Sequence, residues 1–359
     1  MGKMNNKVYK SRILLENEIL DGYLSVTDGV IDYVGTECPS GVTYEALDGI
    51  IAPGFVDIHC HSNMKKYAWD DPVGVADFHL AHGTTTMLLT YYRDIPHEKL
   101  LACLENTKAA MEKCKNVLGA HLEGPYLNAN LGFGKGTNDS PDMEKCEEYI
   151  KSGVVRQWTS APEIDGVPEL IKRISKCGIV PAIGHSSANY EEVKRAYESG
   201  ARIATHLFDA TRAPASAYVG TLEVDFNESC MLMDDMFYEV ICDEKWIHVR
   251  REKLALLIKT VGIDRVVAIT DMSAACVADR EDDGMDVALY DGLLRGTKLT
   301  MDRVAKNLYN GGFSLPEIFK MTSKNPARAL GLSDRGVIAV GMRADLILVG
   351  ENAEFIKVI

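Results

Sequence analysis

The chain has 359 residues and a formal net charge of −13 at pH 7. This length exceeds the usual size of one core, so we expect either two domains or one large α/β barrel with an accessory domain. The acidic charge argues against binding to nucleic acid or to an anionic membrane, because the mean field of the protein repels polyanions. The sequence shows no signal-peptide pattern and no run of about 18 apolar residues, so we expect a cytoplasmic protein. Its nine cysteines include no Cys-x-x-Cys pair, which indicates reduced thiols.

Short strand patterns occur at both ends of the chain. Residues 7–52 alternate apolar and polar positions between Asp-Gly turns, and residues 335–349 have the same character. Pairing of the two ends would enclose the middle of the chain as a separate domain. We therefore predict a small β-sandwich domain formed from residues 1–52 plus 332–359, and a catalytic domain formed from residues 53–331.

Eight apolar runs alternate with helical patterns in the middle of the chain. They are residues 55–61, 85–91, 117–123, 154–161, 179–185, 202–206, 238–243 and 266–271. Eight such units predict a (β/α)8 barrel, whose active site lies at the carboxyl ends of the strands. A typical helix pattern covers residues 189–199, with Ser186 or Ser187 as the predicted N-cap and Gly200 as the stop. The loop of residues 124–141 should lie over the strand ends.

Residues of metal-ligand type occur where these runs end. His59 and His61 alternate on the first run and would share one face of a strand. Glu123, His185 and His206 end the third, fifth and sixth runs, and together they suit a catalytic Zn²⁺ or a similar divalent ion with one position open for water. The pair of histidines could hold a second ion bridged by Glu123 or assist the first.

Asp271 ends the eighth run and could accept a proton from a water molecule that a metal activates, and later donate it to a leaving amine. A helix N-cap is the alternative role for this residue. His121 would share the face of Glu123 and could act either as a ligand or as a support for one. The sequence motifs of dinucleotide-binding, P-loop and nucleophile-elbow enzymes are absent.

Several motifs resemble those of the N-acetylglucosamine-6-phosphate deacetylase family in the amidohydrolase superfamily. They are residues 52–61, 121–127, 161–163, 184–186, 205–210, 270–271 and 299–302, and the match continues through residues 325–328. The resemblance implies hydrolysis of N-acetylglucosamine 6-phosphate to glucosamine 6-phosphate and acetate by a homodimer. It also implies that Glu123, His185 and His206 bind metal, with one or two ions per subunit, and that Asp271 is the catalytic acid and base. Zinc is the expected metal, with iron, manganese, cobalt or nickel as alternatives.

The sequence departs from the family pattern on the substrate side. Asn138 stands where a histidine is typical, and Asp209 stands where an asparagine is typical. A His-His-Arg segment, whose arginine resembles a phosphate ligand reaching across a dimer, is missing from residues 213–220. Arg212 and Lys135 are the candidates to replace it.

The predicted substrate contacts are therefore Asn138, Asp209, Ala210, Arg212, His248 and Lys135. The departures leave an alternative substrate open, namely an unphosphorylated or different N-acyl or cyclic amide. A non-catalytic sugar-binding protein is a further alternative.

Overall fold

The computed structural model describes residues 6–132, 138–214, 216, 218–273, 285–290 and 293–359, so the predicted contact Lys135 lies outside the described residues. Its strands, numbered in chain order, are β1 (Asn6–Leu14), β2 (Ile19–Thr27), β3 (Val30–Gly35), β4 (Glu45–Pro53), β5 (Phe55–Cys60), β6 (Thr84–Tyr92), β7 (Val117–Glu123), β8 (Val155–Ser160), β9 (Val180–Ile183), β10 (Ile203–Ala204), β11 (Phe237–Ile241), β12 (Val266–Ile269), β13 (Val287–Tyr290), β14 (Leu293–Thr297), β15 (Leu346–Val349) and β16 (Phe355–Val358).

Strands and helices alternate regularly from β5 to β12, and three further helices follow β14 in the described part of the chain. The helices are α1 (Pro72–Ala81), α2 (His97–Lys113), α3 (Met143–Lys151), α4 (Val167–Ser175), α5 (Tyr190–Ser199), α6 (Phe226–Met231), α7 (Arg251–Val261), α8 (Met301–Asn310), α9 (Leu315–Phe319) and α10 (Asn325–Ala329). A short 3₁₀ turn covers Ile263–Arg265, and a π turn, Lys320–Lys324, joins α9 to α10. Within the described ranges, no helix combines the length and the apolar character needed to cross a membrane.

Strands β5 to β12 form one parallel sheet in sequential order, and each lies on one of the eight predicted runs. The sheet curls until its two edges meet. The Asp271 amide donates to the His59 carbonyl at 2.9 Å, and the His61 amide donates to the Met272 carbonyl at 3.1 Å. These bonds bring the end of the last strand against the first, so the predicted (β/α)8 barrel is confirmed. Its active-site end is the rim that contains the carboxyl ends of all eight strands.

Strands from both termini form a separate six-stranded sheet in the order β16-β15-β4-β1-β2-β3, which confirms the predicted β domain built from the two ends. The C-terminal strand β15 pairs antiparallel with β4, and Leu348 faces Ile51 in that register. This sheet has its own apolar cluster, which is centred on Tyr9, Ile13, Leu24, Val26, Ile31, Ile51, Ile338, Leu346 and Leu348. The residue limits given for the two domains stay a prediction.

The N-cap predicted for α5 is wrong. The helix begins with a capping box in which Asn189 accepts from the Glu192 amide at 3.1 Å, and Glu192 accepts from the Asn189 amide at 2.9 Å. The serines are occupied elsewhere: the Ser186 hydroxyl donates to Glu163 Oε2 at 2.6 Å, and the Ser187 amide donates to Glu163 Oε1 at 2.8 Å. The helix ends at Gly200 as predicted.

Gly54 joins the terminal sheet to the barrel, and its replacement with alanine should destabilise the fold. The added methyl group would lie 2.7 Å from Thr85 Cβ and closer still to the γ atoms of that side chain. We expect a loss of about 1–3 kcal/mol in the free energy of unfolding, as is usual for overpacking, measured by urea denaturation. In a Thr85→Gly background the colliding atoms are gone, so the same substitution should cost less. An equal cost in both backgrounds would contradict this explanation.

Candidate active site

Six buried side chains converge at the carboxyl end of the barrel. They are His59, His61, Glu123, His185, His206 and Asp271, with solvent exposures between 0% and 8%. They lie at the ends of β5, β7, β9, β10 and β12, which are five of the eight strands. Because parallel strands that are adjacent in a barrel end at the same rim, residues far apart in the chain meet there. The sequence-predicted metal ligands and catalytic residue are thus brought together.

Glu123 contacts the histidines of two neighbouring strands through one oxygen. Its Oε1 lies 2.8 Å from His185 Nε2 and 3.0 Å from His206 Nε2, and the two nitrogens are 3.0 Å apart. Ligand atoms bound at about 2.0–2.1 Å in a tetrahedral site lie roughly 3.3 Å from one another. The three donor atoms therefore fit a single divalent ion.

The two histidines of β5 form a second group beside the first. His59 Nε2 and His61 Nε2 are 3.3 Å apart, and Asp271 Oδ1 lies 3.4 Å from the former and 3.2 Å from the latter. Glu123 Oε2 lies 3.2 Å from His61 Nε2, so the Glu123 carboxylate contacts both groups. Two overlapping sets, His59 with Glu123 and His206, and His59 with His61 and Asp271, have donor atoms close enough to hold a metal ion.

Three of the converging residues have a left-handed backbone. The φ angles are 49° at His185, 25° at His206 and 45° at Asp271. Each such residue costs on the order of 1–3 kcal/mol and persists only where its surroundings fix it. At the ends of β9, β10 and β12 this conformation turns the chain away from the strand direction at the residue whose side chain enters the site.

Both carboxylates of the site are held in their ionised form. Burial alone would raise the pKa of Glu123, but His59 and His185 outweigh burial and place that pKa well below its ordinary value. Burial likewise opposes ionisation of Asp271, and the hydrogen bond from His61 with the nearby charge of His59 lowers its pKa. Asp271 can therefore accept a proton at neutral pH, which is what a general base requires.

Glu239, which was not predicted from the sequence, orients His59 through the ring nitrogen that faces away from the site. It is fully buried on β11, and its Oε2 lies 3.0 Å from His59 Nδ1. Gln157 Nε2 donates to the other oxygen at 2.7 Å. When His59 is neutral, as a metal ligand must be, donation of its Nδ1 proton to Glu239 turns the lone pair of Nε2 toward the site, as in other carboxylate–histidine–metal arrangements. The sequence signal was an acidic residue inside an otherwise apolar strand.

His121 supports the site and does not face the donor atoms. Its Nε2 lies 2.8 Å from Thr159 Oγ1 and its Nδ1 lies 3.2 Å from Thr90 Oγ1, so both ring nitrogens have hydroxyl partners. Burial and the neighbouring His59 hold its pKa well below the ordinary value, which keeps the ring neutral. Its ring packs edge-on against that of His59 at 4.6 Å. Of the two roles that the sequence left open, the geometry favours support of a ligand.

A cavity of about 290 Å³ opens from these residues. Its lining includes His61, Glu123, His185, His206 and Asp271, the predicted substrate contacts Asp209 and Ala210, and the further residues Tyr67, Tyr92, Gly132, Ser273, Leu293, Leu294, Arg295 and Gly296. The last four belong to the hairpin of β13 and β14, which follows the eighth barrel strand. The hairpin was not predicted from the sequence to be part of the site.

Three other predicted substrate contacts lie outside the lining of this cavity. The side chain of Asn138 accepts from the Ala129 amide at 2.7 Å, and that of His248 lies 3.3 Å from Asp243 Oδ2. Arg212 is exposed, and its amide donates to the Ser186 carbonyl at 3.4 Å. Their roles as substrate contacts stay predictions.

An eight-stranded parallel barrel with acidic and histidine donors gathered at its carboxyl end is the architecture of the amidohydrolase class. The model of the amidohydrolase family matches residues 50–359. The chain is 30% identical over 378 residues to N-acetylglucosamine-6-phosphate deacetylase from Bacillus subtilis (strain 168), and the alignment covers 97% of this chain and 93% of that relative.

Solved structures give the same result. The structure of N-acetylglucosamine-6-phosphate deacetylase from Thermotoga maritima has a TM-score of 0.85 and 28% identity, with 98% of this chain and 97% of that chain covered. A mutant of the Mycobacterium smegmatis deacetylase in complex with N-acetyl-D-glucosamine-6-phosphate has a TM-score of 0.85 and 26% identity, with 100% and 98% covered. The chain therefore belongs to the amidohydrolase family, and within it to the N-acetylglucosamine-6-phosphate deacetylase family, which confirms the resemblance. It is a hydrolase of carbon–nitrogen bonds.

Replacing Glu239 with glutamine should weaken metal binding. The variant keeps the size of the side chain but removes the charge that fixes the His59 ring, and losses of about 10–100-fold in metal affinity are usual for such partners. Competition of the protein with a chromogenic chelator for zinc measures the effect. Glu252→Gln on α7, where the side chain is exposed, is the matched control and should change nothing. Equal zinc affinity of the Glu239 variant and the parent would contradict this role.

Proposed function

We propose that the protein is a metal-dependent deacetylase of an N-acetyl amino sugar phosphate, converting N-acetylglucosamine 6-phosphate into glucosamine 6-phosphate and acetate. The observation that carries this proposal is the convergence of Glu123, His185 and His206 with Asp271 in one cavity at the barrel end. The relatives that carry this activity in their names support the choice of substrate, since they match nearly the whole chain.

Glu123, His185 and His206 would hold one ion, and His59 with His61 would hold a second or assist the first. Imidazole nitrogens and carboxylate oxygens in this number suit Zn²⁺, with iron, manganese, cobalt or nickel as alternatives. A divalent ion supplies a Lewis acid that polarises the amide carbonyl and lowers the pKa of water.

Asp271 would move the proton that the reaction requires. Its carboxylate is ionised and lines the cavity, so it can accept a proton from the attacking water as the new carbon–oxygen bond forms. The same proton, donated to the amide nitrogen, makes that nitrogen a neutral amine leaving group when the carbon–nitrogen bond breaks. The products are acetate and the free amino sugar.

A different N-acyl or cyclic amide substrate is the second candidate. Asp209 lines the cavity and adds a carboxylate that would repel an anionic substrate, and Arg212 lies outside the lining. A non-catalytic sugar-binding role has less support, because the complete donor set and Asp271 are present together.

We also propose a homodimer. Tyr218, Val219 and Leu222 expose 75%, 107% and 96% of their surfaces, and such a group of exposed apolar side chains is typical of a surface that a partner covers. A cytoplasmic location stays a prediction.

Deacetylation by protein that is first stripped with a chelator and then loaded with zinc tests the proposed reaction. The stripped protein should be inactive, because the water would lose its activating ion, and the loaded protein should hydrolyse N-acetylglucosamine 6-phosphate faster than unphosphorylated N-acetylglucosamine. Release of acetate and of primary amine is measured for both sugars. Equal rates would favour the second candidate substrate, and no turnover of either sugar would contradict the proposal.

Replacing Asp271 with asparagine should abolish turnover and leave zinc bound. Loss of a general acid and base costs about 100- to 10,000-fold in rate, and Glu123, His185 and His206 remain in place. Kinetics together with the zinc content of the purified variant check both halves of the prediction. Asp235→Asn, at an exposed position before β11, is the control. An active Asp271 variant would require another base.

A further inference from the structure

Among the described residues, the lining of the cavity has more carboxylates than arginines or lysines. Three carboxylates line it, those of Glu123, Asp209 and Asp271, and Arg295 is the one arginine or lysine that lines it among the residues the structure describes. Glu123 and Asp271 belong to the group of metal donors. Arg295 is not a residue of metal-ligand type, and it was not identified from the sequence.

The position of Arg295 is fixed by direct bonds between its strand and the segment that carries Asp271. The Thr297 amide donates to the Asp271 carbonyl at 3.0 Å, and the Ser273 amide donates to the Thr297 carbonyl at 3.0 Å. The Ser273 hydroxyl also donates to the carbonyl of Arg295 itself. The strand β14 is therefore attached to the end of β12, beside the proposed catalytic residue.

Gly296 shows how close this attachment is. Its φ is +74°, and a Cβ at this position would lie 3.1 Å from Asp271 Oδ2 and closer still to the Asp271 carbonyl. Only glycine allows β14 to approach Asp271 so closely without strain. The residue next to this contact in the chain is Arg295, which lines the same cavity as the Asp271 carboxylate.

The remaining wall of the cavity is suited to a sugar or acyl group. Leu293 and Leu294 from the same strand and the rings of Tyr67 and Tyr92 line it. An arginine beside such a wall offers a planar set of donors that binds phosphate oxygens in pairs. Among the described residues of the lining, three carry carboxylates, so Arg295 is the position at which an anionic group would be attracted.

We propose that Arg295 binds the 6-phosphate of the substrate and determines the preference for the phosphorylated sugar. The proposal rests on the proposed function and deepens it, since it names the residue that recognises the phosphate group. In this arrangement the phosphate ligand comes from the same chain as the metal donors and the catalytic residue. It takes the role for which the sequence suggested Arg212 and Lys135.

Kinetics of Arg295→Met and Arg295→Lys on the two sugars test this inference. In the methionine variant, KM for N-acetylglucosamine 6-phosphate should rise by about 10- to 100-fold, the range expected for loss of charge-assisted hydrogen bonds, while kcat changes little. The value of kcat/KM for unphosphorylated N-acetylglucosamine should fall far less. The lysine variant keeps the charge but not the paired donors, so it should recover part of the loss.

Arg212→Met is the matched control, because it removes an arginine that is exposed and lies outside the cavity lining. It should leave the preference for the phosphorylated sugar unchanged. A loss of preference in this variant and not in Arg295→Met would overturn the proposal, as would an equal fall in kcat/KM for both sugars in Arg295→Met.

A binding measurement separates a failure of this proposal from a failure of the proposed function. Zinc-loaded protein is titrated calorimetrically with glucosamine 6-phosphate and with glucosamine, whether or not it turns over either acetylated sugar. The parent should bind the phosphorylated amine more tightly, and Arg295→Met, with an unchanged circular dichroism spectrum, should bind both alike. A parent that does not discriminate, or a methionine variant that still does, would overturn the proposal.

Discussion

The site depends on one buried carboxylate, that of Glu123. A buried charge is costly unless it is paired, and here the pairing comes from four histidines on three other strands. Oε1 lies between His185 and His206, and Oε2 faces His61. Because both groups of donors share this carboxylate, the geometry of one is coupled to the geometry of the other. The position of β7 in the barrel, with its last residue at the rim, is what makes such sharing possible.

A second constraint acts where the barrel closes. The amide of Asp271 donates to the carbonyl of His59, and the Asp271 carbonyl accepts from Thr297. Backbone bonds on both sides thus fix a residue whose φ of 45° would be unfavourable alone. The same bonds join the first strand, the last strand and the β13–β14 hairpin. The backbone bonds that close the barrel therefore also position the proposed catalytic group.

The barrel and its donors could be predicted because both follow from local patterns. An apolar run of strand length ends at a polar residue, and parallel strands then place those polar ends at one rim, as Glu123 and His206 show. Contacts between segments that are far apart in the chain leave no such pattern in the sequence. Ser186 and Ser187 looked like helix caps, but Glu163 binds them and the capping falls to Asn189.

Arg295 shows the limit of prediction from a local pattern more clearly. Its strand pattern follows the last barrel run, and nothing in the order of residues says that the hairpin turns back onto Asp271. The close approach requires Gly296 and bonds to residues more than twenty positions away in the chain. Arg212 was named with Lys135 as a candidate to replace the missing phosphate ligand. It is exposed and lies outside the cavity lining.

The charges in the cavity explain why binding of a phosphate group depends more on its position in the cavity than on the net charge of the cavity. Among the described residues of the lining, the two positive charges of one divalent ion would offset Glu123 and Asp271, and Arg295 would offset Asp209. Two unit charges about 4 Å apart interact by roughly 1 kcal/mol in water and roughly 4 kcal/mol near a protein surface. An anion near Arg295 gains about as much as the same anion near Asp209 loses. A cavity balanced in this way orients a substrate that is negative at one end and uncharged at the other, because only one orientation puts the phosphate beside the guanidinium.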